Sequence, residues 1–136
     1  MVKPSLDQER AKHAWEAVIR FRLPNGGYGA DAKEYATEAK KLPMRIMSAG
    51  LGSALAFVSA KAKKKKKHLI SLNDDLTDWV IKERKIAARN PKSLLESIIY
   101  GQSDFLRQAT EETLAYLQWL NRFAEAEGLT DEENGN

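Results

Sequence analysis

One stretch constrains this 136-residue chain more than any other. Residues 42–58 read Leu-Pro-Met-Arg-Ile-Met-Ser-Ala-Gly-Leu-Gly-Ser-Ala-Leu-Ala-Phe-Val. Arg45 is its single ionisable residue, in a sequence where 30% of residues are charged. A helical segment that is apolar on all sides must be wrapped by other elements or by a partner. Pro43, Gly50 and Gly52 punctuate it. The pattern predicts a buried central hairpin of two helical pieces, with amphipathic helices packed round it. The run is shorter than the roughly 20 residues a bilayer span needs, and Pro and Gly interrupt it.

The length suits one domain, predicted over residues 1–128, with a disordered acidic tail over 129–136. No cysteine is present, which excludes a disulfide frame, a thiolate zinc site and a cysteine nucleophile. The first eight residues lack the apolar core of a secretory signal, so the expected location is cytoplasmic, with no membrane partner. Net charge is +3, and the tail holds three acids and no base, so residues 1–130 carry +6 in place of +3. A moderately basic body points to polyanion binding.

Helical periodicity runs throughout. Ser5-Leu6-Asp7-Gln8 has capping-box spacing, and Leu6, Ala11, Ala14, Ala17, Val18 and Phe21 form one face of the first helix. Leu23-Pro24-Asn25-Gly26-Gly27 stops it. Asp31 is the expected cap of a second helix, which Pro43 kinks or ends. A third helix over 53–62 runs into six lysines in seven positions (61–67), whose mutual repulsion suits a solvated loop or frayed helix end. A fourth, from Ser71 or Asn73 to about Arg89, has Asp74, Asp75 and Asp78 early and Lys82, Arg84, Lys85 and Arg89 late, which complements the helix dipole. Asn90-Pro91 separates it from a short helix over 93–100. The last and longest, 104–127, is expected to be capped by Ser103 and ended by Gly128. Its stripe is Phe105, Leu106, Ala109, Thr113, Tyr116, Leu117, Leu120, Phe123 and Ala124. No strand alternation appears. The expected fold is an all-α compact bundle of about six helices.

Three blocks carry a family likeness. They are Ser5-Leu6-Asp7-Gln8-Glu9-Arg10-Ala11; Leu42-Pro43-x-x-Ile46-x-x-x-Gly50-Leu51-Gly52-x-x-Leu55-Ala56-Phe57; and Ala109-Thr110-x-Glu112-x-Leu114-x-Tyr116-Leu117-x-Trp119-Leu120-x-Arg122-Phe123-Ala124. In this order and spacing the chain resembles the small subunit of the Cmr complex, the type III-B CRISPR effector of antiviral defence, over about residues 5–127. The resemblance implies a non-catalytic helical protein, several copies of which stack along the backbone subunits of a ribonucleoprotein filament and line the groove holding guide RNA and target RNA. The implied partners are the other Cmr subunits, both RNAs and further copies of itself. The lysine run 63–67 lies outside the shared pattern and takes no role from it.

The residues themselves offer little catalysis. No P-loop, Gly-x-Ser-x-Gly or His-Glu-x-x-His pattern is present, and no enzymatic activity, cofactor or metal is expected. His13, within a turn of Glu9 and Glu16, reads as part of an exposed ion-pair cluster; His68 ends the lysine run and is given no role. The three early aspartates of the fourth helix read as dipole complements rather than a metal site. For RNA the expected means is Lys and Arg against phosphates, largely without base reading. The candidates are Lys40, Lys41, Arg45, Lys61 and Lys63 near the hairpin, and Arg107 and Arg122 on the last helix. Arg45, a lone charge in an apolar run, needs an acid such as Glu38 or an exit to solvent. Trp119, off its helix's main stripe, suits either a two-sided core or a subunit seat. The competing reading is a purely protein–protein scaffold with little direct RNA contact.

Overall fold

The computed structural model describes residues 2–64, 67–86 and 93–131. Among them every extended element is helical, with one isolated bridge between Arg22 and Tyr28. The helices are α1 (Leu6–Ile19), α2 (Ala30–Ala49), α3 (Leu51–Lys64), α4 (Ile70–Thr77), α5 (Leu94–Tyr100) and α6 (Ser103–Ala126). A 3-10 turn, Lys67–Leu69, leads into α4, and α4 widens into a π-helical turn, Asp78–Glu83. The all-α, six-helix expectation holds.

Local rules account for several boundaries. At α1 the Gln8 N–H donates to Ser5 Oγ at 3.1 Å and the Ser5 N–H donates to Gln8 Oε1 at 2.7 Å, so two otherwise orphaned donors are satisfied reciprocally. α2 starts one residue before Asp31, behind Gly29; Asp31 sits in the first turn rather than capping it. Gln102, not Ser103, is the N-cap residue of α6, and Ser103 is its first helical residue. α2 also runs on through Pro43. Proline has no N–H for the carbonyl four residues back, which is that of Ala39, and Asn121 Nδ2 on α6 donates to it at 3.1 Å instead. A tertiary hydrogen bond thus replaces the one proline removes. Gly50, with φ +92°, makes the turn between α2 and α3 in a region a side chain rarely enters.

The α2–α3 hairpin forms as expected, and Leu42, Ile46, Leu51, Ala54, Leu55 and Val58 bury its inner face. It is not wrapped all round. On the outside Met44 is 73% exposed, Met47 77% and Phe57 46%.

The most continuously buried stretch is the junction of α4 with its π turn. Asp75, Leu76, Thr77, Trp79, Val80 and Ile81 are all buried, more consecutive positions than one helical face supplies. Polar bonds tie this segment to every other helix or its cap. Asn73 Nδ2 donates to the Leu55 carbonyl (3.0 Å) and Ser59 Oγ (2.9 Å) of α3. Asp75 accepts both guanidinium arms of Arg20, the cap residue of α1 (2.7 and 2.6 Å), and the Tyr35 hydroxyl of α2. Thr77 Oγ1 accepts from the Leu94 N–H of α5 (3.0 Å). Trp79 Nε1 (2.8 Å) and Arg84 Nε (3.1 Å) donate to Glu112 of α6, which also receives Arg10 from α1. Asp75 and Asp78 are therefore tertiary partners, and the reading of them as dipole complements is corrected.

The π turn ends at Glu83, and Lys85 adopts φ +54°. The expected continuation to Arg89 and the Asn90-Pro91 stop lie outside the described residues, as does the centre of the lysine run, Lys65 and Lys66. At the other end Gly128 takes φ +76°, and Leu129 returns to the core with its N–H on the Ala124 carbonyl at 2.8 Å. The described residues run to Asp131, three past the expected boundary at 128; residues 132–136 lie outside them. Among the described residues, no helix is long and apolar enough to cross a membrane.

Candidate nucleic-acid interface

The hairpin gathers two of the seven candidate cations on one carboxylate and a third in the groove beside it. Glu38, on α2, is 3% exposed. Its Oε2 accepts from Arg45, about two turns further along α2, and its Oε1 accepts from Lys61 of α3 at 3.0 Å. Burial raises the pKa of the Glu38 carboxyl, but the hydrogen bonds from Lys61 and Arg45 outweigh it and hold the group below its ordinary value. A buried carboxylate satisfied on both oxygens is a fixed anchor. Of the two outlets expected for Arg45, an acid or an exit to solvent, it takes the acid, Glu38.

Lys41 joins the same face. With Lys33, Glu34, Thr37, Glu38, Lys61 and Leu69 it lines a groove of about 160 Å³ between α2 and α3. Lys63 and Lys64 are exposed in the last turn of α3. Lys40 turns away to the Asp131 carbonyl, 2.7 Å from its Nζ. On α6, Arg107 pairs with Asp104 (3.1 Å) and Glu111 (3.7 Å), and Arg122 with Glu125 (2.9 Å). Those two arginines lie about 22 Å apart at 1.5 Å per residue, each engaged with acids of its own helix. The structure brings Lys41, Arg45 and Lys61 together and leaves Arg107 and Arg122 outside the cluster.

Phe57 is not among the candidates read from the sequence. The Arg45 guanidinium carbon lies 4.1 Å from its ring centroid and Lys61 Nζ lies 5.3 Å from it, within the range of cation–π attraction. A signal for it exists in the sequence: Phe57 and Lys61 are four apart on one helix, the spacing that stacks side chains.

A larger cleft, about 580 Å³, opens between α1 and the α4–π segment. Several of its charged groups are paired: Arg20 with Asp75, His13 with Asp78, and Arg84 with Glu112 behind it. Burial works against the Glu112 carboxylate, yet hydrogen bonds from Arg10, Trp79 and Arg84 hold its pKa below the ordinary value. His13 lies between Tyr116 Oη and Asp78 Oδ2, 2.7 Å from each, and is not in the exposed Glu9–Glu16 cluster expected of it. His68 meets Asp31 at 3.5 Å through Nδ1 and Glu34 at 2.8 Å through Nε2, the latter off the hydrogen-bond direction. One ligand atom from each of the three lies within 4.8 Å of the others, an arrangement that exposed acids also adopt without an ion, and the group joins the turn before α4 to the start of α2. Trp119 donates to Asp7 Oδ1 at 2.9 Å and stacks on Phe123, so it closes the α1–α6 seam.

Residues 6–127 match the model of the family described as CRISPR-associated protein (Cas_Cmr5). The chain belongs to the Cmr5 family. The CRISPR system Cmr subunit Cmr5 of Thermus thermophilus is 35% identical over 112 residues, spanning 82% of this chain and 90% of that protein. The X-ray crystal structure of a CRISPR-associated Cmr5 family protein from the same organism matches with a TM-score of 0.68 and 29% identity, over 90% of this chain and 97% of that one. The Cmr5 family match takes in the α2–α3 hairpin, the α4–π segment and all of α6. The basic cluster round Glu38 thus lies within the shared domain.

Proposed function

We propose that the chain is a non-catalytic structural subunit of the Cmr CRISPR ribonucleoprotein, stacking in several copies along the partner subunits and holding guide and target RNA against the outer face of the α2–α3 hairpin. Arg45 and Lys61, both bonded to Glu38, with Lys41 lining the groove beside them, are the observation that carries this reading. Cations fixed on a buried anchor present a constant spacing to a phosphate backbone and release counterions on binding. Contact of this kind is salt-sensitive and tolerant of sequence. Lys63 and Lys64 extend the positive field along α3. The cytoplasm, where RNA-guided defence operates, is the matching compartment.

The test is RNA retention by the complex reconstituted with its partner subunits, titrated against salt. Lys41→Glu is expected to weaken retention and flatten its salt dependence with assembly intact. Absence of RNA retention by the wild-type complex at low salt contradicts the reading. Met44 and Met47 favour a second one, a protein–protein scaffold, because adaptable exposed methionines suit a subunit seat. Loss of assembly on Met44→Gln/Met47→Gln, with RNA retention indifferent to Lys41→Glu, selects it.

A further inference from the structure

Ahead of its terminal lysines, Lys63 and Lys64, the outer face of α3 is made of small residues, Ser53, Ala56 and Ala60, with one large apolar exception. Phe57 stands among them and keeps 46% of its surface open to solvent, although two cations already lie against its ring. Those cations are fixed from below. Glu38 gives one oxygen to Arg45 and the other to Lys61, so ring, guanidinium and ammonium form one preorganised shelf. Lys41, Lys61 and Lys33 line the groove beside it.

We propose that Phe57, with Arg45 and Lys61, is a stacking platform for an unpaired nucleobase of bound RNA. The proposal rests on the RNA-contact reading above and deepens it by naming a base-facing residue. A flat aromatic surface offers every base the same π-face, so stacking adds affinity without demanding sequence. The neighbouring lysines meet the flanking phosphates, which a purely apolar protein seat would not require. Bases inside a continuous A-form duplex hide their faces in the stack, so the platform selects a single-stranded or unstacked position. Glu38 is the positioning residue: it touches no RNA and holds both cations at the ring.

The test compares two labelled probes of equal length with the full chain, free and in the reconstituted complex: oligouridine, and an abasic ribose-phosphate strand carrying the same phosphates. Fluorescence anisotropy reads both affinities. The wild type is expected to bind oligouridine about tenfold more tightly than the abasic strand, in line with base–aromatic stacking worth about 1–3 kcal/mol. Phe57→Leu, which keeps apolar volume and removes the π-face, should bring oligouridine down to the abasic level, and Phe57→Trp should restore the difference. Lys41→Glu should weaken both probes alike. Equal binding of the two probes by the wild type, or an oligouridine preference that survives Phe57→Leu with helical circular dichroism unchanged, overturns the platform while leaving RNA contact standing. Loss of partner assembly on Phe57→Leu with the probe ratio unchanged assigns the ring to a protein seat and also overturns it. Failure of the wild type to bind either probe at low salt removes the RNA reading itself.

Discussion

The α2–α3 hairpin and the α4–π segment exchange the places their compositions suggest. The hairpin run has one ionisable residue in seventeen positions, yet it buries only its inner face and shows Met44, Met47 and Phe57 to solvent. The α4–π segment carries Asp74, Asp75, Asp78, Lys82 and Glu83; it leaves Asp74, Lys82 and Glu83 in solvent, yet it buries Asp75 with Leu76, Thr77, Trp79, Val80 and Ile81 and is bonded to each of the other helices or its cap. Low charge marks a surface that can be covered. Enclosure follows from whether each polar group finds a partner when buried, and Asp75, Thr77 and Trp79 all do. The hairpin's apolar outer face, like Ile99 and Tyr100 of α5, is then left for something else to cover.

The contrast sets an order of effects. Asp75→Ala strips the partners from Arg20 and the buried Tyr35 hydroxyl and should cost about 3–5 kcal/mol, as breaking buried pairs does; the midpoint of urea unfolding reads it. A loss below about 1 kcal/mol would mean that the segment is less enclosed than described. Leu76→Ala, at a fully buried position, should cost about 2–5 kcal/mol, whereas Met44→Ala on the hairpin's outside should stay within about 0.5 kcal/mol. Comparable losses at the two sites would erase the distinction.

Acid should separate the regions next. Glu112 and Glu38 both have folded-state pKa values below their ordinary 4.5. A depressed carboxylate contributes stability that is complete above the unfolded-state pKa and is lost as pH falls through the folded-state value. Stability should therefore be level above about pH 5.5 and decline below about pH 4.5. Glu112→Gln should flatten that decline more than Glu38→Gln, because Arg45 and Lys61 reach water more readily than Trp79; unfolding midpoints measured against pH decide it. The smallest effect belongs to the end of the π turn. Lys85 holds φ +54°, and Lys85→Gly should raise stability by about 0.5–1 kcal/mol, since glycine enters that region freely.

Much of this was legible along the chain. The Ser5/Gln8 cap, the α6 stripe and the Gly50 turn are local, and local rules recover them. So was the requirement of Arg45 for an acid, because Glu38 lies two turns away on the same helix. What escaped depends on distant partners. Asp75 pairs with Arg20 across 55 positions, and His13 with Asp78 across 65; nothing in their own neighbourhoods distinguishes them from helix-end charges. Pro43 reads as a break until Asn121, 82 positions from Ala39, takes over the freed carbonyl. The family resemblance covered the matched domain, but it named no residue at the interface. That Lys41, Arg45 and Lys61 fall near the hairpin is legible in the sequence; that Glu38 holds both Arg45 and Lys61, with Phe57 against the two, emerges only when α2 and α3 are folded together.

The central claim is that the hairpin's outer face meets RNA while the α4–π segment holds the bundle together. Photo-crosslinking of 4-thiouridine-substituted guide and target RNA in the assembled complex, with the crosslinked peptides mapped by mass spectrometry, tests it most directly. Crosslinks concentrated in residues 40–64, Phe57 among them, are the predicted result. Crosslinks confined to the α1–α4 cleft or to the outer face of α6, with residues 40–64 silent, would contradict it.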